Sequence, residues 1–114
     1  MVRLRNRHLP QRVTIRPLIG ESAEGDIWGD PVTDVPAYVE QSARLVVDRR
    51  SSSPTSGQEV TSSTTVVVLP EHDTLPRSRV TVWAGTPRER TSEVITSDYA
   101  EYRGTPSHAE LHLE

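Results

Sequence analysis

Two runs rich in β-branched residues, Ala37 to Val47 (AYVEQSARLVV) and Glu59 to Leu69 (EVTSSTTVVVL), flank ten polar residues, Arg49 to Gln58 (RRSSSPTSGQ). This pairing constrains the fold more than any other feature of the chain. The runs read as long strands. The stretch between them holds Ser, Pro and Gly and almost nothing apolar, so it has little surface to bury against the entropy of ordering it. A long hairpin with a mobile, protruding tip is the expectation, and a loop of that length on a small domain is either functional or disordered.

Other segments carry the same two-residue period. Gln11 to Arg16 (QRVTIR) sets Val13 and Ile15 against polar neighbours, and Pro17 ends it. Arg79 to Ala84 (RVTVWA) alternates Val80 and Val82 against Thr81 and Trp83, with a turn from Gly85. Thr91 to Tyr99 is a weaker strand, and Ala109 to Glu114 (AELHLE) turns Leu111 and Leu113 inward. Alternation within Ala37 to Val47 places Val39, Ala43, Leu45 and Val47 on one face. Ser42 to Arg49 could instead turn helical with Ser42 as cap, but strand is preferred. No segment sustains a helical period. The fold class is therefore all-β: a small single-domain barrel of about six strands with a long hairpin loop. Its core should contain Val13, Ile15, Val39, Val66, Val68, Val80, Val82, Leu111 and Leu113.

Residues 1–10 form a basic N-terminal arm, and 11–114 form the barrel domain. Within it, 20–36 read as an acidic loop holding three Gly, two Pro and five acidic residues around Ile27 and Trp28. Trp28 is expected to fold back as an apolar plug, or to contact a neighbour. A hydrophobic content of 33 % with no Phe is thin for one core, which suits completion by further copies of the chain. The formal net charge of −3 argues against a free nucleic-acid binder. With no Cys there is no thiol or disulfide chemistry. No apolar run approaches a membrane span, and the Arg-rich start lacks a signal-peptide core, so the expected setting is a cytosol or a particle assembled there.

Residues for chemistry do not converge in the sequence. His108 and His112 form H-A-E-L-H, but on a strand four residues span roughly 13 Å, too far for one metal ion. His72 lies in a polar turn. The carboxylates of 20–36 lack the alternating pattern of a calcium loop. Ser51 to Ser53 have neither a nearby His nor a nucleophile elbow. No catalytic residue, metal ligand or cofactor site is expected. Arg44, Arg49 and Arg50 form a basic patch at the hairpin base, either a solvated edge or a contact to acidic groups or phosphate.

In order and content these segments resemble the head-closure, or head-to-tail stopper, proteins of long-tailed bacteriophages. The resemblance rests on QRVTIR, the turn GDIWGD, the strand start AYVE, the tip DRRSSSPTSGQ, a strand ending in Pro70, and R-V-x-V-W-x-G at Arg79 to Gly85. It loosens in TSEVITSDYAEYRG, where the family carries a G-x-x-Y/F-x-V strand. It implies a structural virion protein, assembled in the host cytoplasm, that forms a ring in the neck. The ring would sit between a portal or adaptor ring and a tail terminator ring, with six copies favoured over twelve, and double-stranded DNA would pass through its lumen. It would close the DNA channel after packaging and dock the tail. On this resemblance Arg44, Arg49, Arg50, Ser51, Ser52, Ser53 and Gln58 become the candidate gate or inter-subunit contact. Asp26, Trp28 and Asp30 become a candidate partner-contact loop. The alternatives are another neck or tail ring protein (terminator or adaptor), an OB-like nucleic-acid-binding barrel, and a small hydrolase.

Overall fold

A computed structural model describes residues 9–50, 53–100 and 108–114. Its strands are β1 (Gln11–Arg16), β2 (Leu18–Ser22), β3 (Gly25–Trp28), β4 (Val32–Val47), β5 (Glu59–Val68), β6 (Arg79–Val82), β7 (Arg90–Ala100) and β8 (His108–Leu113). One 3-10 turn, Pro70–His72, joins β5 towards β6. Six strands close into an antiparallel barrel in the order β1-β4-β5-β8-β7-β6, with β6 returning to β1. β2 and β3 form a separate two-stranded ribbon. The all-β barrel with its long β4–β5 hairpin is thus present.

Alternation fills the bore. Val13, Ile15, Val39, Val66, Val68, Val80, Val82, Leu111 and Leu113 all lie in one buried cluster, joined by Val35, Ala37, Val94 and Ala109. Each strand contributes every second residue, so the interior is packed with branched aliphatic side chains and is not a pore. Ser62 and Thr64 continue the inward row at one end. Ser62 Oγ donates to the carbonyls of Leu113 (2.8 Å) and Thr64 (3.1 Å), so burial of this hydroxyl is compensated.

Three bulges shape the barrel. β4 sets two residues, Thr33 and Asp34, against the single Thr14 of β1, and Asp34 there adopts φ 54, a left-handed conformation that Asp tolerates. β4 again sets two residues, Ser42 and Ala43, against one of β5, Ser63. This second bulge inverts the inside–outside sense of everything after it. Leu45, expected inside, is therefore 71 % exposed, and Ala43 is exposed too. A third bulge in β7 sets Ile95 between the partners of Leu113 and His112.

The region 20–36 departs from its expected loop character. It contains part of β2, all of β3 and the start of β4. Short strands with both faces open carry no alternation to read. Gly25, at φ 125, supplies the turn between β2 and β3.

Candidate functional site

The β4–β5 tip is organised around a single carboxylate. Asp48 directly follows β4 and has no exposed surface. Its backbone closes the hairpin: Asp48 N–H donates to Gln58 O (2.8 Å), and Gly57 N–H donates to Asp48 O (2.8 Å). Gly57 reaches this position at φ 83, which a side chain would disfavour. The Asp48 carboxylate accepts from Arg50 N–H (2.9 Å), Arg50 Nε and Nη2 (3.0 Å each), Ser53 Oγ (2.8 Å) and Thr55 Oγ1 (2.5 Å).

Arg50 extends the network. Its Nη1 reaches Glu93 Oε1 of β7 at 3.1 Å and also pairs with Glu114 beyond β8. Arg49 N–H donates to Ile95 O in the β7 bulge at 3.2 Å. The Arg50 guanidinium holds the Asp48 carboxyl well below the usual carboxylate range, against the opposing effect of burial; Thr55 and Ser53 add to the lowering. Arg50 is driven further up in return by Asp48, then by Glu114 and Glu93.

The β2–β3 ribbon is tied down by a second set of arginines. Trp28 meets Arg16 of β1 and Arg79 of β6, each guanidinium carbon 5.0 Å from the ring centroid. Arg16 and Arg79 are direct cross-strand partners, so one aromatic ring caps two adjacent like charges. Arg77 holds the far end. Its Nη1 meets Glu21 Oε1 at 2.5 Å, and its Nη2 meets Asp26 Oδ2 at 2.6 Å. Asp26, then Glu21, raise the Arg77 guanidinium above its ordinary value. Arg77 adopts φ 75, a strained backbone for a long side chain, and its N–H donates to Val94 O at 2.8 Å. Leu18 N–H donates to Ser78 Oγ (2.8 Å), anchoring the base of the ribbon. Arg50, Ser53, Pro54, Arg77 and Glu93 line one cleft of about 250 Å³, so both arginine networks meet at the same end of the barrel.

The expected site residues separate in this geometry. Arg50 and Ser53 are engaged in the Asp48 network within the chain. Arg44 is about half exposed and lies 3.8 Å from Glu40. Arg49 and Gln58 have exposed side chains, and Ser51 and Ser52 lie outside the described residues, as does most of the 1–10 arm. Asp26 is held by Arg77, and Asp30 is exposed. Trp28 is a cation-stacked clamp and not an apolar plug.

Asp48, Arg77, Glu93 and Glu114 were not singled out by sequence reasoning. An acid directly preceding two arginines at a hairpin neck is the one signal that could have flagged Asp48. Hydrogen bonds also run from Thr65 through His112 to Asp98, an order like that of a nucleophile, base and acid. Thr65 is only 2 % exposed on a central strand, so its hydroxyl cannot meet a substrate. Among the described residues no helix is long and apolar enough to cross a membrane. Comparison with protein-family models, with curated proteins and with solved structures returns no match.

Proposed function

We propose that this chain is a structural subunit of the neck of a long-tailed bacteriophage, a head-to-tail stopper that works as a ring. The observation that carries this reading is where the resembling segments fall. QRVTIR is β1, GDIWGD spans the end of the β2–β3 ribbon, AYVE lies in β4, the Arg-bearing tip joins β4 to β5, and RVTVWAG is β6 with its turn. They supply three barrel strands and both pinned ribbons, and these are the parts a ring subunit needs.

The packed bore has a consequence for this role. DNA cannot pass through the barrel, so the lumen of the ring lies between copies. With Arg50 neutralised internally, Arg44, Arg49 and Gln58 are the members of the tip left to meet a neighbouring copy or the channel. The portal or adaptor ring on one side and the tail terminator ring on the other are the partners of this arrangement. An acidic chain also suits a lumen along which DNA must slide without sticking.

Deleting the gene for this chain from its phage tests the reading. The expected result is heads that leak DNA and remain tailless. Complete, DNA-filled, tailed particles without the chain would refute it. Terminator and adaptor roles are distinguished by the level at which a tagged copy sits in the neck. The OB-like alternative is disfavoured by Trp28, whose ring is already engaged by two guanidinium groups. No gel shift with single-stranded DNA at low salt is expected.

A further inference from the structure

The outer face of β7 and β8 gathers a further group of titratable side chains, whose hydrogen bonds are separate from those of the two arginine networks. Asp98 and Glu110 are direct cross-strand partners. Two carboxylates in that relation repel each other unless a cation lies between them. Among the described residues their ion pairs are to histidines and not to arginines: His112 Nε2 to Asp98 Oδ2 at 3.0 Å, and His108 Nε2 to Glu110 Oε1 at 3.4 Å. His112 is 3 % exposed, so its ring is fixed by packing. Its Nδ1 lies 3.3 Å from Thr65 Oγ1 on the neighbouring β5. In the tautomer whose Nδ1–H donates to Thr65 Oγ1, Nε2 is left with the lone pair a metal ion needs, on the side of Asp98.

We propose that Asp98, Glu110 and His112 bind one divalent transition-metal ion of the zinc class. The donor set is one imidazole and two carboxylates, which suits zinc better than calcium or magnesium, whose sites are built from oxygen alone. The donor atoms all lie within 4.8 Å of one another. Ligands of a tetrahedral zinc ion sit about 3.4 Å apart, given bonds of about 2.0–2.2 Å. The His112–Asp98 pair is already near that spacing. Glu110 and the 66 % exposed Asp98 side chain can close the remainder by rotation. Thr65 holds the His112 ring, and His108 steadies Glu110, the outer contacts that orient metal ligands. Three protein ligands leave a fourth position for water, open on the carboxylate side. The ion would staple β7 to β8 and relieve the opposed charges. The sequence concealed this site because the ligands alternate along β8 and cross to β7, whereas H-A-E-L-H directs attention to two histidines too far apart.

The test is calorimetric titration of zinc chloride into the full chain after chelator treatment, at neutral pH, with cobalt as a spectroscopic substitute. One equivalent of zinc should bind and raise the melting temperature, and cobalt should give the visible bands of a tetrahedral site. Asp98→Asn and Glu110→Gln should each weaken binding at least tenfold while the zinc-free variants keep the circular dichroism of the parent. His72→Gln should bind like the parent. Absence of saturable binding at one equivalent overturns the proposal. So does zinc affinity unchanged in both carboxylate variants, which would place the ion elsewhere.

Discussion

Replacing Arg50 with Met tests the structural logic of the hairpin tip most directly. The Asp48 side chain is fully buried, and the Arg50 side chain is 11 % exposed. The carboxylate accepts five hydrogen bonds, of which two come from the Arg50 side chain. Arg50→Met removes those two and leaves three, from the backbone N–H of residue 50, Ser53 and Thr55. Removing one partner of a buried ion pair costs about 3–5 kcal/mol. The three surviving donors place the loss at the lower end, about 3 kcal/mol. Glu93 and Glu114 also lose a partner, but both are well exposed and add little. At about 4–8 °C per kcal/mol for a domain near this size, the melting temperature should fall by roughly 12–24 °C.

Thermal unfolding followed by circular dichroism measures this, and Asp48→Asn completes a double-mutant cycle. Adding Asp48→Asn to Arg50→Met should recover at least half of the loss, because the amide carries no buried charge: its oxygen can accept from the residue 50 N–H while its NH2 donates to the Ser53 and Thr55 hydroxyls, which can turn to accept. Acid adds a second readout. The Asp48 carboxyl is held low in the folded chain, so its stabilisation is complete above the unfolded value of about 3.9 and is lost as pH falls below it. The gap between parent and Arg50→Met should therefore narrow below about pH 4. A variant that melts within about 2 °C of the parent, or losses that add to within about 0.5 kcal/mol across the cycle, would refute the claim that Asp48 and Arg50 act as one unit.

Val80→Asp should abolish cooperative unfolding. The residue is fully buried and paired with Ile15, and an unpartnered buried carboxylate costs an amount comparable to a total stability of about 5–15 kcal/mol; a parent-like melt would mean that this face of β6 is solvated. Trp28→Ala should cost about 1–2 kcal/mol, from two cation–π contacts of about 0.5–1 kcal/mol each. It should also expose β2–β3 to protease while the barrel amides stay protected from hydrogen exchange. Unchanged protection of the ribbon would show that Arg77 alone holds it.

The legible part of this fold is the part with one wet face. In β1 and β6 apolar residues alternate with polar ones and burial follows that pattern; β8 keeps it except at the buried His112, and in β5 the inward row Thr64, Val66, Val68 runs through a stretch whose Thr65 is buried too. Legibility fails where the backbone changes its count. Nothing in Gln41, Ser42 and Ala43 marks the bulge that turns Leu45 outward, because a bulge is set by the pairing of two strands and not by the composition of one. β2 and β3 are hidden for a different reason. A ribbon exposed on both faces has no pattern, and it is held by Trp28 and Arg77, whose partners lie far along the chain. The tip lacks apolar residues, and the polar network at its base centres on Asp48, one residue before the stretch that composition marks out.

Closure of the barrel and pinning of the ribbons answer one problem. A closed barrel has no free strand edge, but a strand that outruns its neighbour regains one. β1 pairs with β4 only from Val32 to Ala37, and β8 pairs with β5 only from Thr64 to Val68. The β4–β5 ribbon from Arg44 to Val47 and from Glu59 to Ser62 therefore runs on without those neighbours, and the β2–β3 ribbon lies outside the barrel sheet altogether. Leu45, Ile19 and Ile27, three of the large exposed apolar side chains, lie on these two ribbons. Left loose, such ribbons would invite strand addition in any register. The Arg50 network, the Arg77 network and the Trp28 clamp fix their direction, so their edges and apolar residues are offered in one orientation only. A subunit of the proposed ring must make the same contact with each neighbour in turn. Two pinned ribbons that carry exposed apolar side chains, on a barrel of filled bore, suit that requirement.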